Sequence, residues 1–281
     1  MPSTLIDAAE ARRLPLRPAD DLRGAPAGPL LANPTFWVLV ASLTLFSVGA
    51  AAALTDAASA WVTVPVSAVG IYLGFTVMHD AVHRTAHPTK RINDAMGWLP
   101  ALLLYFTLPM FRTCHSKHHA NTNDPDNDPD HSVARMPAVL RVWWLFFTVF
   151  NYRRLYYGRK WWRSRAELAA QVVLDVVMVG GGVVVAVTDT FDLYAQIHLL
   201  PALLAGLFLF YAFDFLPHAP HDSRERYLDT RVQPGPVRHA ILLGQNYHLV
   251  HHLWVTIPWY RYRDAFEQLR PELEARGARI D

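Results

Sequence analysis

Cysteine is nearly absent from this chain: Cys114 is the single thiol in 281 residues. One cysteine excludes an internal disulfide, a cysteine-based zinc site and an iron–sulfur cluster held by this chain alone. Charge is scarce too, at 18% of residues against the roughly 25% usual in soluble domains. With a mean hydropathy of +0.11, that balance argues against a soluble enzyme. The 26 Lys and Arg barely exceed the 24 Asp and Glu, which gives no reason to expect a nucleic-acid partner. What the chain holds in excess is histidine, 14 residues in all.

Residues 1–33 are rich in Pro, Ala and Arg, with no apolar period and no secretory-signal layout. They read as a flexible cytoplasmic arm ahead of a single membrane domain over 34–281. From Pro34 about 20 residues carry no charge, enough at about 1.5 Å per residue to cross a hydrocarbon core of about 30 Å. Four spans are expected, at about 34–54, 57–78, 168–188 and 193–213, arranged as two hairpins. The stretch 95–111 contains Pro100 and Pro109 and reads as re-entrant or interfacial. Residues 139–165 mix Trp and Tyr with Arg and Lys, the composition of an interfacial helix. Residues 214–281 form a C-terminal region beyond the last span. The expected fold is an all-α, multi-pass integral membrane protein with interfacial helices and a His-rich di-metal cap. All 26 Lys and Arg fall in 1–33, 84–165 and 214–281, while the two outer turns carry Asp56, Asp189 and Asp192. Because Lys and Arg accumulate on the cytoplasmic side, both termini and the cap are expected in the cytoplasm, at a cell inner membrane.

Eight histidines form three groups: HDAVH (His79, His83), HSKHH (His115, His118, His119) and NYHLVHH (His248, His251, His252). On a helix, residues i and i+4 diverge by about 40°, i and i+3 by about 60°, and adjacent residues by about 100°. An HxxxH pair therefore presents two imidazoles from one face. His115 pairs with His119, and His248 with His252, more readily than either adjacent pair. Two such motifs converging would build two metal centres, each helix donating to both. So many imidazoles at one membrane face are costly unless a metal or acidic partners satisfy them. Zinc takes three or four protein ligands, copper electron-transfer sites want a Cys, and haem needs one or two axial His. Eight or more neutral nitrogens suit two octahedral-type iron ions with positions left for dioxygen, a non-haem di-iron centre.

The isolated His131, His198 and His239 read as satisfied polar residues. Asp80 and Asn246 stand inside the motifs and could orient imidazoles, or simply be buried polar neighbours. The run DPDNDPD lacks the Gly and terminal Glu of an EF-hand loop, and reads as a rigid acidic turn near the metals or an electron-donor surface. Cys114 reads as a small core residue, and Asp175, inside the third span, as facing the bundle.

The three histidine motifs, with two membrane hairpins ahead of and between them, resemble the membrane fatty-acid desaturase and hydroxylase superfamily. Within it, HDAVHRTAH, HHANTNDPDNDPDH, DFLPHAPH and GQNYHLVHHLWVTIPWYRY resemble β-carotene hydroxylases of the cyanobacterial type. The resemblance implies an extra ligand about thirty residues before the last motif, where His218 stands ahead of the alternatives His221 and His239. It also implies a polar residue one turn earlier, here Asp214. It implies one iron held by His79, His115, His119 and His251, and another by His83, His118, His218, His248 and His252. His87, continuing the i+4 stripe of the first motif, and His221 are candidate extra ligands or supporting residues.

The activity so implied is O2-dependent hydroxylation of the β-ionone ring of a carotenoid dissolved in the bilayer, β-carotene giving a zeaxanthin-type xanthophyll. The chain has no nucleotide-binding Gly motif, haem signature or cysteine set, so electrons must come from outside, with a ferredoxin and its reductase as the expected donor. The alternative on the same scaffold is a fatty-acyl lipid desaturase. A His-rich membrane metal transporter is a more distant alternative, because its ligands belong at mid-membrane between spans and these cluster beyond the span ends.

Overall fold

In the first helix, α1 (Pro34–Leu54), Asn33 accepts a hydrogen bond from the Thr35 amide at 2.9 Å and Pro34 takes the first helical position. The computed structural model describes residues 16–281, apart from the side chains at 135, 138, 139 and 141–147. A short turn leads into α2 (Ala60–His83), which ends where Arg84 adopts a left-handed backbone (φ 63°). These two helices approach through small residues, as membrane helices do when lipid removes the hydrophobic drive between them. Ser42 Oγ donates to the Gly70 carbonyl at 2.7 Å, and a Cβ on Gly70 would stand 2.6 Å from the Phe46 amide nitrogen.

Next come α3 (Lys90–Leu103) and α4 (Leu108–Ala120), which meet at 91° across a four-residue break. Thr107 starts α4 by accepting from the Met110 amide, with Pro109 in its first turn. Helix α5 (Ala138–Gly158) is followed by α6 (Arg165–Val187), capped by Ser164 Oγ accepting from the Glu167 amide at 3.2 Å. The last long helix, α7 (Phe191–His218), contains two π-helical turns, Ala195–Leu199 and Phe210–Phe215. The C-terminal region holds α8 (Pro236–Leu242), α9 (His248–Leu253) and α10 (Tyr262–Ala275).

Helices α1, α2, α6 and α7 are each long and apolar enough to cross a membrane. The exposed face of α6 makes the case physically. Val179 is 70% and Val187 75% exposed, and Gln171 is the helix's buried residue. Such a valine surface is stable against lipid rather than water.

The four expected spans are therefore present, with shifted ends. Helix α2 starts at Ala60 and runs through His83 rather than stopping at 78, so His79 and His83 share its final turns. Helix α7 runs through to His218. The stretch 95–111 resolves into the sharply bent α3–α4 pair.

Two features depart from expectation. A parallel two-stranded sheet pairs β1 (Arg231–Val232) with β2 (Arg279–Ile280), elements too short to leave a period in sequence. The expected mobile arm falls partly on residues 1–15, outside the described residues. Residues 16–33 are instead held down: Gly24 N donates to Thr256 O at 2.6 Å, Trp254 Nε1 to Leu16 O at 3.3 Å, and Asn33 Nδ2 to Ala86 O at 2.7 Å. Leu16 and Leu22 cover the apolar cluster of Tyr247, Leu249 and Phe266, and that burial fixes the segment.

Gly70→Val is expected to force α1 from α2 and destabilise the protein by about 1–3 kcal/mol through overpacking. Gly181→Ala, with open space around it, should leave stability unchanged. Thermal unfolding of both variants in detergent checks this.

Candidate metal centre

Four helices deliver nine histidines to one place. His79 and His83 come from the end of α2, His115, His118 and His119 from α4, His218 from the end of α7, and His248, His251 and His252 from α9. They fall into two groups, in each of which one ring nitrogen per residue lies within 4.8 Å of the others. The first comprises His79, His83, His115, His119 and His251; the second comprises His118, His218, His248 and His252. The groups adjoin, with the His119 and His252 ring centroids 4.2 Å apart.

His83 joins His79 in the first group, not the second as the family resemblance implied. The cause is the helix itself, since residues i and i+4 share a face. The expected pairs His115 with His119 and His248 with His252 each fall within one group.

The ring nitrogens point at one another. Nε2 of His119 lies 3.0 Å from that of His115 and 2.9 Å from that of His251. His248 Nε2 lies 3.0 Å from His218 Nε2 and 3.1 Å from His252 Nε2. These are N–H···N hydrogen-bond distances, and they bring the nitrogens close enough to share one ion. His83 Nε2 is buried without a hydrogen-bond partner among the described residues, its ring 4.8–5.0 Å from those of His79, His115, His119 and His251.

Behind the imidazoles stands a set of orienting groups. His118 Nδ1 lies 2.9 Å from Asp128 Oδ1 and 3.3 Å from Asp130 Oδ2. Tyr262 Oη lies 2.9 Å from His251 Nδ1, Thr122 Oγ1 3.2 Å from His252 Nδ1, and Gln245 Nε2 3.5 Å from His79 Nδ1. Phe111 stacks on His115 at an interplanar angle of 9°. Gly244, with φ 78°, sits so close to Trp259 that a Cβ would be 2.5 Å from its carbonyl oxygen, so only glycine brings α9 in at this angle.

The DPDNDPD run thus provides the acidic turn expected beside the site. Asp124 accepts from the Asp126 amide at 2.9 Å and pairs with Arg224 at 2.7 Å, leaving Asp128 to reach His118.

Several candidates lie elsewhere. Asp80 accepts from Thr35 Oγ1 at 3.0 Å and ties α2 to the start of α1 instead of orienting a ring. Asn246 Nδ2 donates to Gln233 O at 2.9 Å and braces the loop before α9; its neighbour Gln245 is the residue that faces an imidazole. His87 falls beyond the end of α2, where the i+4 stripe is broken, and its Nδ1 accepts from the Thr89 amide at 2.9 Å. His221 stacks beside His218 at 6.1 Å between centroids, outside both groups. Asp214 lines the cavity next to His118 and His248. Cys114 is buried in the core. Asp175 does face the bundle, accepting from Arg153 Nε at 2.8 Å and Tyr157 Oη at 2.5 Å.

Burial holds most of these rings neutral, the state in which a nitrogen can bind a metal. Burial and then the neighbouring His118 charge press His248 down to about 3. Burial and surrounding histidines push His115, His119, His251 and His252 well below the ordinary value. His118 goes the other way: burial opposes its charge, but the Asp128 charge and hydrogen bond, with Asp130, carry it to about 10.

A cavity of about 440 Å³ opens from the histidines and runs along α7. Phe75, Phe111 and Phe213 wall the metal end, and Tyr105, Met178 and Tyr194 the far end.

A family profile described as fatty acid desaturase matches residues 55–281. The chain belongs to the fatty acid desaturase family. A beta-carotene ketolase from Paracoccus sp. (strain N81106 / MBIC 01143) is 28% identical over 215 residues, which cover 70% of this chain and 78% of the ketolase. An sn-1 oleoyl-lipid 12-desaturase from Picosynechococcus sp. (strain ATCC 27264 / PCC 7002 / PR-6) is 24% identical over 227 residues, covering 70% of this chain and 65% of the desaturase. A desaturase of the same name from Synechocystis sp. (strain ATCC 27184 / PCC 6803 / Kazusa) is 24% identical over 226 residues, with 70% and 64% covered. The chain thus spans just under two thirds of these two desaturases. Membership agrees with the resemblance carried by the histidine motifs and makes this chain a membrane oxidoreductase with histidine clusters able to hold metal.

Metal-free protein should lose stability as pH falls from 6.5 toward about 3. Unfolded histidines take up protons through 6.5, whereas folded His248 resists until about 3, so the unfolded state binds more protons over that window. His118, raised in the folded state, adds stability below 6.5 that is lost only as pH rises toward 10, and contributes no slope in the acid window. Unfolding of chelator-treated protein between pH 7 and 4 measures the effect.

Proposed function

We propose that this protein is an O2-dependent non-haem di-iron oxygenase that hydroxylates the β-ionone ring of a carotenoid dissolved in the bilayer. The observation carrying the reading is the apolar cavity that starts at the paired histidine groups and continues between α5, α6 and α7, where exposed Phe150 stands at its rim. A rod-like apolar molecule entering from lipid would lie along it with one end at the imidazoles. The aromatic walls of Phe75, Phe111 and Phe213 suit a bulky ring at that end. The ketolase relative, matched over 78% of its length, supports a carotenoid over an acyl chain. The 12-desaturase relatives support the second reading, an acyl-lipid desaturase on the same scaffold.

Nine histidine nitrogens in two adjoining groups, of five and four, fit two iron ions better than zinc, which takes three or four protein ligands. His79, His83, His115, His119 and His251 would hold one, and His118, His218, His248 and His252 the other. Bound there, iron supplies activation of dioxygen for removal of hydrogen from an unactivated C–H bond. The protein's own part is positioning. Asp128 keeps the His118 Nδ1 proton, so that Nε2 faces the centre. Phe75 and Phe111 pack on His79 and His115 and keep water from the reacting end.

The electrons come from an external donor of the ferredoxin type. Positive residues confined to 1–33, 84–165 and 214–281 support a cytoplasmic centre at a cell inner membrane.

In a β-carotene-producing host the protein should yield hydroxylated carotenoids on pigment chromatography. Unchanged pigment with newly unsaturated lipids would favour the desaturase reading. Iron-reconstituted protein should bind two irons per chain, and one or fewer would refute the di-iron centre. His218→Ala should abolish activity, while His239→Ala, whose ring sits by Tyr247 away from the centre, should retain it.

A further inference from the structure

The far end of the otherwise apolar cavity carries polar groups. Tyr105 and Tyr194 line it, and their hydroxyls lie 2.6 Å apart. Tyr105 Oη also lies 3.0 Å from His198 Nδ1, and His198 Nε2 lies 2.9 Å from the Leu103 carbonyl. Tyr105 holds φ at 63°, a left-handed backbone costly for a bulky residue, at the break between α3 and α4, and Arg153 Nη2 donates to its carbonyl at 2.7 Å. The fold accepts strain to put this phenol here.

Counting hydrogens fixes the direction of the relay. A carbonyl only accepts, so His198 Nε2 carries the proton and, in the neutral ring, Nδ1 accepts. Tyr105 therefore donates to His198, and Tyr194 donates to Tyr105. Tyr194, a lining residue of the cavity, is left with its single proton spent and its oxygen able only to accept. Such a group accepts a hydrogen bond from a hydroxyl and gives none to a ketone.

The distance to the metal end matters as much. From Tyr194 to Asp214 the lining residues of α7 span 20 positions, about 30 Å at the helical rise. That is comparable to the reach of an extended carotenoid with a ring at each end.

We propose that Tyr194, set by Tyr105 and His198, is a specificity residue that seats an already hydroxylated ring while the opposite, unmodified ring lies at the histidines. The inference rests on the carotenoid reading above and deepens it: the protein prefers a monohydroxylated carotenoid to both an unsubstituted and a monoketo one, and so drives the second hydroxylation.

The test measures kcat/KM of the full-length, iron-loaded protein with its electron donor, separately on β-carotene, the monohydroxylated carotenoid and the monoketo carotenoid. One hydrogen bond of ordinary strength predicts about a five- to tenfold preference for the hydroxylated substrate over the other two. Tyr194→Phe should bring the ratio of hydroxylated to unsubstituted close to one. Equal wild-type values on all three substrates overturn the proposal without any variant. So does a Tyr194→Phe protein that loses rate on every substrate in the same proportion, the mark of a structural role. Turnover of none of the three carotenoids by the wild-type protein overturns the carotenoid reading and this proposal with it, whereas turnover without the preference overturns the proposal alone.

Discussion

Nine imidazoles gathered at the end of a helical bundle, six of them buried and three partly buried, are the constraint to which the rest of the fold answers. Each ring must keep one nitrogen free to point at a shared centre and have the other held or packed, and all but the acid-paired His118 are kept neutral by burial. The elements are shaped to that end. Helix α2 outlasts a membrane span so that its last turns carry His79 and His83. Helix α4 turns through 91° from α3 and brings its own three histidines across the bundle. The six-residue α9 is too short to be stable alone, and owes its position to the Tyr247, Leu249 and Phe266 cluster beneath it.

That cluster explains why the segments outside the membrane close on one another. The described part of the N-terminal segment covers it, and the β1–β2 pair joins the chain ahead of α8 to the final residues. Thr35 then links this region to the bundle, donating to Asp80 of α2 and accepting from Trp259 Nε1 at 3.2 Å. Asp80 thus serves the site indirectly, by fixing the base of the helix that carries His79 and His83.

What the sequence disclosed follows from where the information lies. Patterns within one helix were legible: the spans from uncharged length, the pairing of His115 with His119 and of His248 with His252 from angular spacing. The same spacing favours His79 with His83, and that local geometry holds where the assignment borrowed from family resemblance does not. The supports were hidden because they join distant positions. Thr122 meets His252 across 130 residues and Gln245 meets His79 across 166. A threonine or glutamine carries no period that marks it as facing an imidazole. His87 stands apart from the ligands, in the structural role left open for it, because the stripe continues in sequence after the helix has ended at His83.

Helix α7 shows how a single element can serve both the metal end and the far end of the cavity. In a regular α-helix the positions on one face recur every three or four residues, and over seven turns the stripe drifts around the axis. Here the cavity-facing residues after Tyr194 are Leu199, Ala202 with Leu203, Gly206, Leu209 with Phe210, and Phe213 with Asp214, a stripe at that spacing. Tyr194 lies five before Leu199, across the first π-helical turn, and His218 lies five after Phe213 and four after Asp214, just past the second; each such turn takes in an extra residue. The wider turns keep Tyr194 on the cavity face and bring His218 into the second histidine group, without bending the helix away from the bundle. A regular helix over the same residues would rotate one end off the cavity face. The irregular turns are therefore the device that keeps a phenol at one end and a metal-binding ring at the other on opposite ends of one channel.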